Sequence, residues 1–232
     1  MRVKIKLTPT NQTLPIANQH LLNGYVHKCL GENNKYHDAK SDYSVSSLMG
    51  GKLDIATSRV HFTNGAYFTV TSLDTEMMNI LILGLLNNTE FVSGLNFAGI
   101  DFIEEKFYDG WNHFATLSPF LIKRYADKKN YTFVTLDGEN FQTEVKDYLI
   151  KKVSTINPKL NLTNFDVEVK NHSDHKIKKI MIKNVVNKAN QCQISLFCNK
   201  QVAELLYNIG IGQSTGSGFG TIYKTENHLL YK

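Results

Sequence analysis

The sequence predicts an α+β fold with two tandem ferredoxin-like units, each built in the order βαββαβ. Three observations lead to this prediction. Some short segments alternate apolar and polar residues, others repeat apolar residues at helical spacing, and the order of these segments recurs in the second half of the chain. The 232 residues are 42% hydrophobic, which is enough for a substantial core, and the net charge of +5 permits a polyanionic partner without requiring one.

The first unit is predicted between residues 1 and 113. Val3, Ile5 and Leu7 alternate with basic residues and predict a strand, and Asp74 stands where it can cap a helix. A hairpin turn is expected at Asn64-Gly65. The elements of this unit are predicted at residues 2–7, 18–30, 44–63, 65–71, 74–85, 91–95 and 99–105.

The second unit is predicted between residues 114 and 232, where the order of elements returns. Apolar side chains at positions 141, 145, 149 and 153 follow one another at helical spacing. The elements are predicted at residues 114–123, 140–156, 167–171 in a hairpin with 176–197, 200–208 and 221–223.

Cysteine usage and apolar runs limit the class of protein. Cys29, Cys192 and Cys198 are too few and too scattered for a disulfide framework or a zinc knuckle, so we expect reduced thiols in a cytoplasmic protein. The longest apolar run, near residues 80–86, is too short to span a membrane, and the His-Ser-Asp-His segment at 172–175 offers too few ligands for a convincing metal site. We therefore expect no metal, no cofactor and no membrane partner.

The most specific feature is the glycine-rich segment at residues 210–220, Gly-Ile-Gly-Gln-Ser-Thr-Gly-Ser-Gly-Phe-Gly. Glycine tolerates positive φ, and successive N–H groups in such a loop can form an anion-binding concavity. The segment follows a predicted helix, whereas a Walker loop or a dinucleotide fingerprint would precede one. A flexible linker is the alternative, but a strand-like segment follows at once.

Three segments carry a family resemblance. They are the Gly-Ile-Gly and Gly-Phe-Gly of residues 210–220, the run from Tyr36-His37-Asp38 to residues 43–48, and Thr-Leu-Ser-Pro at 116–119. Together they resemble the CRISPR-associated repeat-RNA endoribonucleases of the RAMP superfamily, over essentially the whole chain. The resemblance implies one cut within each CRISPR repeat, in which the ribose 2′-hydroxyl attacks the adjacent phosphorus and leaves 2′,3′-cyclic phosphate and 5′-hydroxyl ends without a metal.

The resemblance also implies partners and catalytic residues. The expected partner is CRISPR repeat RNA, with subunits of a CRISPR effector complex as further candidates, and the protein is expected to be a monomer or homodimer. His37 is the first candidate for general acid or base, and His27 on the first helix is expected to share this work. Lys40 is the candidate for stabilising charge on the phosphate, and Tyr43 for orienting the 2′-hydroxyl or stacking a base.

One position departs from the family pattern. Asp42 stands where some members have a lysine, so Lys40 or Lys52 would have to take that role, and each is also compatible with an ordinary surface lysine. RNA contacts are predicted for the following residues: Gly210, Gly212, Gln213, Ser214, Thr215, Gly216, Ser217, Gly218, Phe219, Gly220, Lys123 and Arg124. Further basic elements are Arg59 and residues 170–188, which are equally compatible with a solvated charged face.

Two other functions fit the same patterns. One is a non-catalytic member of the superfamily that binds repeat RNA within an effector complex. The other is a ferredoxin-like enzyme that uses the glycine-rich segment for the phosphate of a small nucleotide. Only the histidines distinguish the nuclease from the non-catalytic protein.

Overall fold

The computed structural model describes residues 1–31, 34–36, 42–127, 130–169, 175–182 and 185–225. In chain order its elements are β1 (Arg2–Leu7), β2 (Thr13–Pro15), α1 (Gln19–Leu30), β3 (Tyr43–Val45), β4 (Lys52–Asp54), β5 (Arg59–His61), β6 (Ala66–Ser72), α2 (Thr75–Asn87), β7 (Glu90–Val92), β8 (Leu95–Ile103), β9 (Gly110–Thr116), β10 (Lys123–Tyr125), β11 (Tyr131–Phe133), α3 (Phe141–Ile156), β12 (Asp166–Glu168), β13 (Lys176–Ile182), β14 (Val185–Gln191), β15 (Gln193–Cys198), α4 (Lys200–Ile209), a 3₁₀ turn (Thr215–Ser217) and β16 (Ile222–Lys224).

The first ferredoxin-like unit is an antiparallel sheet in the order β3-β6-β1-β8-β7. Its elements β1, α1, β3, β6, α2 and β8 follow one another as βαββαβ. The predicted alternation in β1 is confirmed, because Val3 and Ile5 are fully buried and Leu7 nearly so, and the apolar sides of α1 and α2 pack on them. The Asp74 carboxylate accepts a hydrogen bond from the Met77 N–H at 3.0 Å and begins α2 as predicted.

The second unit repeats this architecture. Its sheet has the order β12-β15-β9-β16, and β9, α3, β12, β15, α4 and β16 again follow as βαββαβ. The positions of the strands within the two sheets correspond, so the predicted tandem fold is confirmed. Val145, Leu149 and Val153 on α3 are fully buried against this sheet. β9 begins at Gly110, ahead of the predicted division between residues 113 and 114, and the exact division of the chain stays a prediction.

Residues 44–63 do not form the single strand that was predicted. The pair Gly50-Gly51 interrupts the segment, which contains the three short strands β3, β4 and β5. The turn at Asn64-Gly65 does form, with the Gly65 N–H bound to the Phe62 carbonyl at 3.0 Å. However, it connects two sheets, because β5 pairs with β2 and β4 while β6 pairs with β1 and β3. Alternation predicts strands but does not specify their partners.

Two predictions for the second unit were also wrong in detail. The strand expected at 114–123 ends at Thr116, since Pro119 follows without an N–H to donate, and the chain resumes as β10 at Lys123. The predicted hairpin of 167–171 with 176–197 is divided between two sheets. β13 and β14 form a separate two-stranded ribbon, which an isolated bridge between Asn190 and Phe120 connects to the rest of the unit, whereas β15 joins β12 and β9 in the main sheet.

A buried arginine joins the two units. The Arg2 side chain, 3% exposed, donates to the Thr71 hydroxyl at 2.8 Å and to the carbonyls of Ile222 at 2.7 Å and Tyr207 at 2.9 Å. Its guanidinium also lies 3.5 Å from the centroid of the Tyr207 ring. Burial lowers the pKa of Arg2 to about 10, so the group is still protonated at neutral pH. The first strand is thereby tied to α4 and β16 of the second unit.

The helices in the described part of the chain are all too short or too polar to cross a membrane.

Candidate active site

A cleft of about 960 Å³ lies between the two units. The first unit contributes one side of α1 and two tyrosines, while the second contributes one side of α3, the glycine-rich segment and parts of β10, β13 and β14. Of the described residues that line the cleft, three are lysines, two are histidines and none is acidic. Such a surface attracts a polyanion.

The α1 wall carries both histidines. His20, Asn23, Gly24 and His27 line the cleft at i, i+3, i+4 and i+7, which places them on one side of the helix. The other side buries Leu22, which anchors α1 in the core of the first unit. His20 is exposed and His27 is half-buried. The two imidazoles start from positions two helical turns apart, about 10.5 Å along the axis.

The α3 wall has the same spacing with different chemistry. Tyr148, Lys151, Lys152 and Thr155 line the cleft at i, i+3, i+4 and i+7. Lys151 is exposed to the cleft, whereas Lys152 is only 8% exposed. Burial raises the pKa of Tyr148 to about 12, so its hydroxyl is a neutral donor at neutral pH.

Lys152 holds the glycine-rich segment in place. Its ammonium donates to the carbonyls of Gly210 and Gly212, each at 2.9 Å. From the first unit, the backbone carbonyl of Tyr43 accepts a hydrogen bond from the Thr215 hydroxyl at 2.7 Å. The Asn23 side chain donates to the Ser217 carbonyl at 3.2 Å. The segment is therefore a structured junction between the units, and the linker alternative is wrong.

Glycine is required in this segment for close backbone approach. Gly220 has a φ of +68°, and a Cβ there would lie 1.7 Å from the Ile211 carbonyl oxygen, which is a severe collision with backbone. At Gly212, with φ +86°, a Cβ would lie 2.6 Å from the Leu121 carbonyl. Because neither glycine carries a Cβ, the backbone of the segment can pack directly against the carbonyls of Ile211 and Leu121.

Only part of the segment faces the cleft. The residues that line it are Gly212, Gln213, Ser214, Thr215, Ser217 and Phe219. Four predicted RNA contacts, Gly210, Gly216, Gly218 and Gly220, are buried and do not line the cleft. Contact of these four glycines with RNA stays a prediction, and Ser214 is the one exposed residue of 211–220.

The tyrosines of the cleft lie near the predicted catalytic segment. Tyr43 lines the cleft but is 4% exposed, so its ring offers no open face for stacking on a base. Its role in orienting the 2′-hydroxyl stays a prediction. Tyr36 also lines the cleft. Its hydroxyl donates a hydrogen bond to the Asp74 carboxylate at 2.9 Å, and its ring lies edge-on to that of Tyr43 with the centroids 6.4 Å apart. His37 and Lys40 lie outside the described residues.

The basic residues predicted to hold RNA are separated by the fold. Lys123 lines the cleft. Arg124 does not, and forms an ion pair with Glu144 of α3. Arg59 lies on β5 and bonds to Thr13, away from the cleft.

Among the cleft residues that sequence reasoning missed are its most reactive or charged side chains, His20, Tyr148, Lys151 and Lys152. The available signal was the polar stripe at i, i+3, i+4 and i+7 that both α1 and α3 carry beside their apolar stripes. Nothing in the sequence indicated that these two stripes face each other across one cleft.

Two ferredoxin-like units that enclose a basic, histidine-containing cleft define a tandem ferredoxin-like protein whose cleft suits a polyanion. The family model described as CRISPR associated protein Cas6, C-terminal, matches residues 103–223, which is just over half of the chain. The chain belongs to the Cas6 family, whose members are endoribonucleases that process CRISPR repeat RNA. No curated protein matches the sequence significantly.

Solved structures agree on the fold. A Cas6-related protein from Pyrococcus furiosus superposes with a TM-score of 0.85 at 19% identity, covering 98% of this chain and 99% of that one. A RAMP protein that binds different RNA substrates has a TM-score of 0.83 at 18% identity, with coverages of 97% and 100%. A Cas6 product complex has a TM-score of 0.69 at 13% identity, with coverages of 97% and 99%.

Proposed function

We propose that this protein cleaves CRISPR repeat RNA in the cleft between its two units, by attack of a ribose 2′-hydroxyl and without a metal. The observation that carries the proposal is the composition of the cleft in a chain of the Cas6 family. Imidazoles lie on its α1 wall, ammonium groups lie on its α3 side, and none of the described lining residues is a carboxylate that would repel a phosphate. Acid, base and positive charge are the three groups that the reaction needs.

The proton transfers are assigned to His27 and His37. His27 projects from α1 into the cleft, and Tyr36, the residue just before His37 in the sequence, lines the same cleft. One imidazole takes the proton of the 2′-hydroxyl, and the other donates a proton to the departing 5′-oxygen. His20, two turns away on α1, is assigned to contact the RNA beyond the scissile phosphate, because that separation is too long for both α1 histidines to act on one phosphate.

Stabilisation of the negative charge on the scissile phosphate is assigned to lysines. Lys40 is the candidate from the sequence, and the fold adds Lys151, which is exposed on the α3 wall of the cleft. A lysine acts here as a mobile point charge that follows the phosphate into the transition state. Lys152 is unsuited to this role, since its ammonium is already bound to the glycine-rich segment.

The direct test is cleavage of a labelled CRISPR repeat RNA from the same genome in the presence of a chelator. A matched RNA carries 2′-deoxyribose at the cut site. We expect the first RNA to be cut to a 2′,3′-cyclic phosphate and the second to stay intact. Loss of cleavage in chelator, or cleavage of the deoxy substrate, would contradict the proposed chemistry.

The histidine assignments are tested by substitution. Replacing His27 or His37 with alanine should slow cleavage by about 10²- to 10⁴-fold, which is the usual contribution of a general acid or base, while RNA binding is retained. His61→Ala is the matched control, because His61 lies on β5 and does not line the cleft. RNA binding with no cleavage by the unmodified protein would instead identify a non-catalytic repeat-RNA-binding member of the superfamily.

A further inference from the structure

The two-stranded ribbon β10–β11 presents an aromatic and basic face. Lys123 pairs with Phe133 and Tyr125 pairs with Tyr131 across the ribbon. Side chains directly opposite each other in an antiparallel pair project from the same face, and residues two apart do so as well. These four side chains therefore share one face, while Arg124 projects from the other.

The rings on this face form a continuous row. The centroids of Tyr125 and Tyr131 are 5.5 Å apart, and those of Tyr131 and Phe133 are 5.3 Å apart. The Lys123 ammonium lies 4.4 Å from the Tyr131 centroid and 5.7 Å from that of Phe133. Tyr125 is 55% exposed, so much of its ring is presented to solvent.

The inner end of the ribbon is fixed to the glycine-rich segment. The Lys123 N–H donates to the Gln213 side-chain oxygen at 3.1 Å, and the Gln213 amide donates back to the Lys123 carbonyl at 3.1 Å. Phe133 packs on a small cluster that contains Leu121 and Phe219. The row of rings thus begins at the cleft, where Lys123 is part of the wall, and runs outward to Tyr125.

We propose that this face, which we call the aromatic ribbon (Lys123, Tyr125, Tyr131 and Phe133), binds unpaired nucleotides of an RNA strand where it leaves the cleft. Bases stack on the rings of Tyr125 and Tyr131, and Lys123 pairs with a backbone phosphate. Sequence-tolerant stacking on aromatic side chains beside a positive charge is how proteins hold single-stranded RNA. The inference rests on the proposed function, because it takes RNA to occupy the cleft.

Binding to uncleavable RNA tests the aromatic ribbon apart from catalysis. The probe is a fluorescent repeat RNA with 2′-deoxyribose at the cut site, prepared with and without single-stranded extensions on both sides. Tyr125→Ala should weaken binding of the extended RNA by about 5- to 150-fold, the range expected for one lost base stack, and should leave the short RNA unchanged. Tyr125→Trp should retain the affinity. Tyr223→Ala is the control, since Tyr223 is 43% exposed on β16 and does not line the cleft.

The outcomes separate this inference from the proposed function. Equal binding of the extended RNA by Tyr125→Ala and the unmodified protein would overturn the aromatic ribbon, even if the unmodified protein cleaves the all-ribose RNA. A selective loss in Tyr125→Ala supports the aromatic ribbon, even if no cleavage is observed. Failure of the unmodified protein to bind either RNA would overturn both. Thermal unfolding of each variant shows whether a loss of affinity reflects a loss of folded protein.

Discussion

Replacing Lys152 with methionine removes the charge beneath the glycine-rich segment and keeps the length of the side chain. In the native protein its ammonium donates to the carbonyls of Gly210 and Gly212, each at 2.9 Å, within a site where the side chain is almost fully buried. The variant leaves these two carbonyls without that donor. We expect it to destabilise the fold and to loosen the segment that links the two units.

The magnitude follows from two opposing contributions. Hydrogen bonds from a charged donor each contribute about 1.5–3 kcal/mol, so the loss of both is about 3–6 kcal/mol. Burying a methionine avoids the cost of removing water from an ammonium group, and this offsets part of the lost free energy of unfolding. A net destabilisation of about 2 kcal/mol corresponds to a fall in Tm of about 4–8 °C for a chain of this size.

The assay is thermal unfolding together with RNA binding at several salt concentrations, with Lys151→Met as the matched control. Lys151 is its exposed neighbour on α3, so the control should change stability by no more than about 0.5 kcal/mol. Lys151→Met should instead weaken RNA binding and lower the salt dependence by about one unit of slope. Equal Tm values for the two variants would refute the view that Lys152 supports the segment.

Three further predictions concern the glycine-rich segment, the α2 cap and the junction of the units. Gly220→Ala should destabilise the fold severely in thermal unfolding, because its Cβ would collide with backbone at a positive φ, whereas Gly24→Ala on α1, where nothing lies within 4 Å, should stabilise it by about 0.5–1 kcal/mol. Asp74→Ala should cost about 1 kcal/mol at neutral pH. The hydrogen bond from the Met77 N–H lowers the pKa of Asp74 in the folded state. The stability difference between the unmodified protein and Asp74→Ala is therefore fully present above the pKa of the unfolded state and should vanish as the pH falls through the pKa of the folded state. A stability difference that is unchanged in acid would contradict the cap. Arg2→Met should lower the free energy of unfolding by about 3 kcal/mol in a denaturant titration, since three polar partners lose a charged donor, and an effect below that of Lys151→Met would argue against its linking role.

Much of the fold could be predicted from local patterns. The helices α1, α2, α3 and α4 were placed within a few residues, because apolar spacing, the Asp74 cap and the glycines after α1 and α4 act within the element itself. Strand pairing was less predictable. Residues 44–63 and 176–197 alternate as strands do, but the choice of sheet depends on partners far away in the sequence.

The candidate site divides in the same way. His27, Tyr43, Lys123 and six residues of the glycine-rich segment were predicted and do line the cleft. Lys152 was not singled out in the sequence, and its partners in the glycine-rich segment lie 58 and 60 positions further along the chain. Residue type reveals what chemistry a side chain can perform, whereas a cleft is made by two surfaces that meet only after folding.

The sequence by itself determined the duplicated α+β architecture and the kinds of groups available for RNA cleavage, because periodicity, capping and side-chain chemistry are local properties of the chain. Only the tertiary structure decided that α1 and α3 face each other, that four glycines of the glycine-rich segment are buried away from the cleft, and that a basic, aromatic ribbon continues from the cleft. These facts arise from the packing of one unit against the other and from strand pairings between distant segments, neither of which leaves a local pattern.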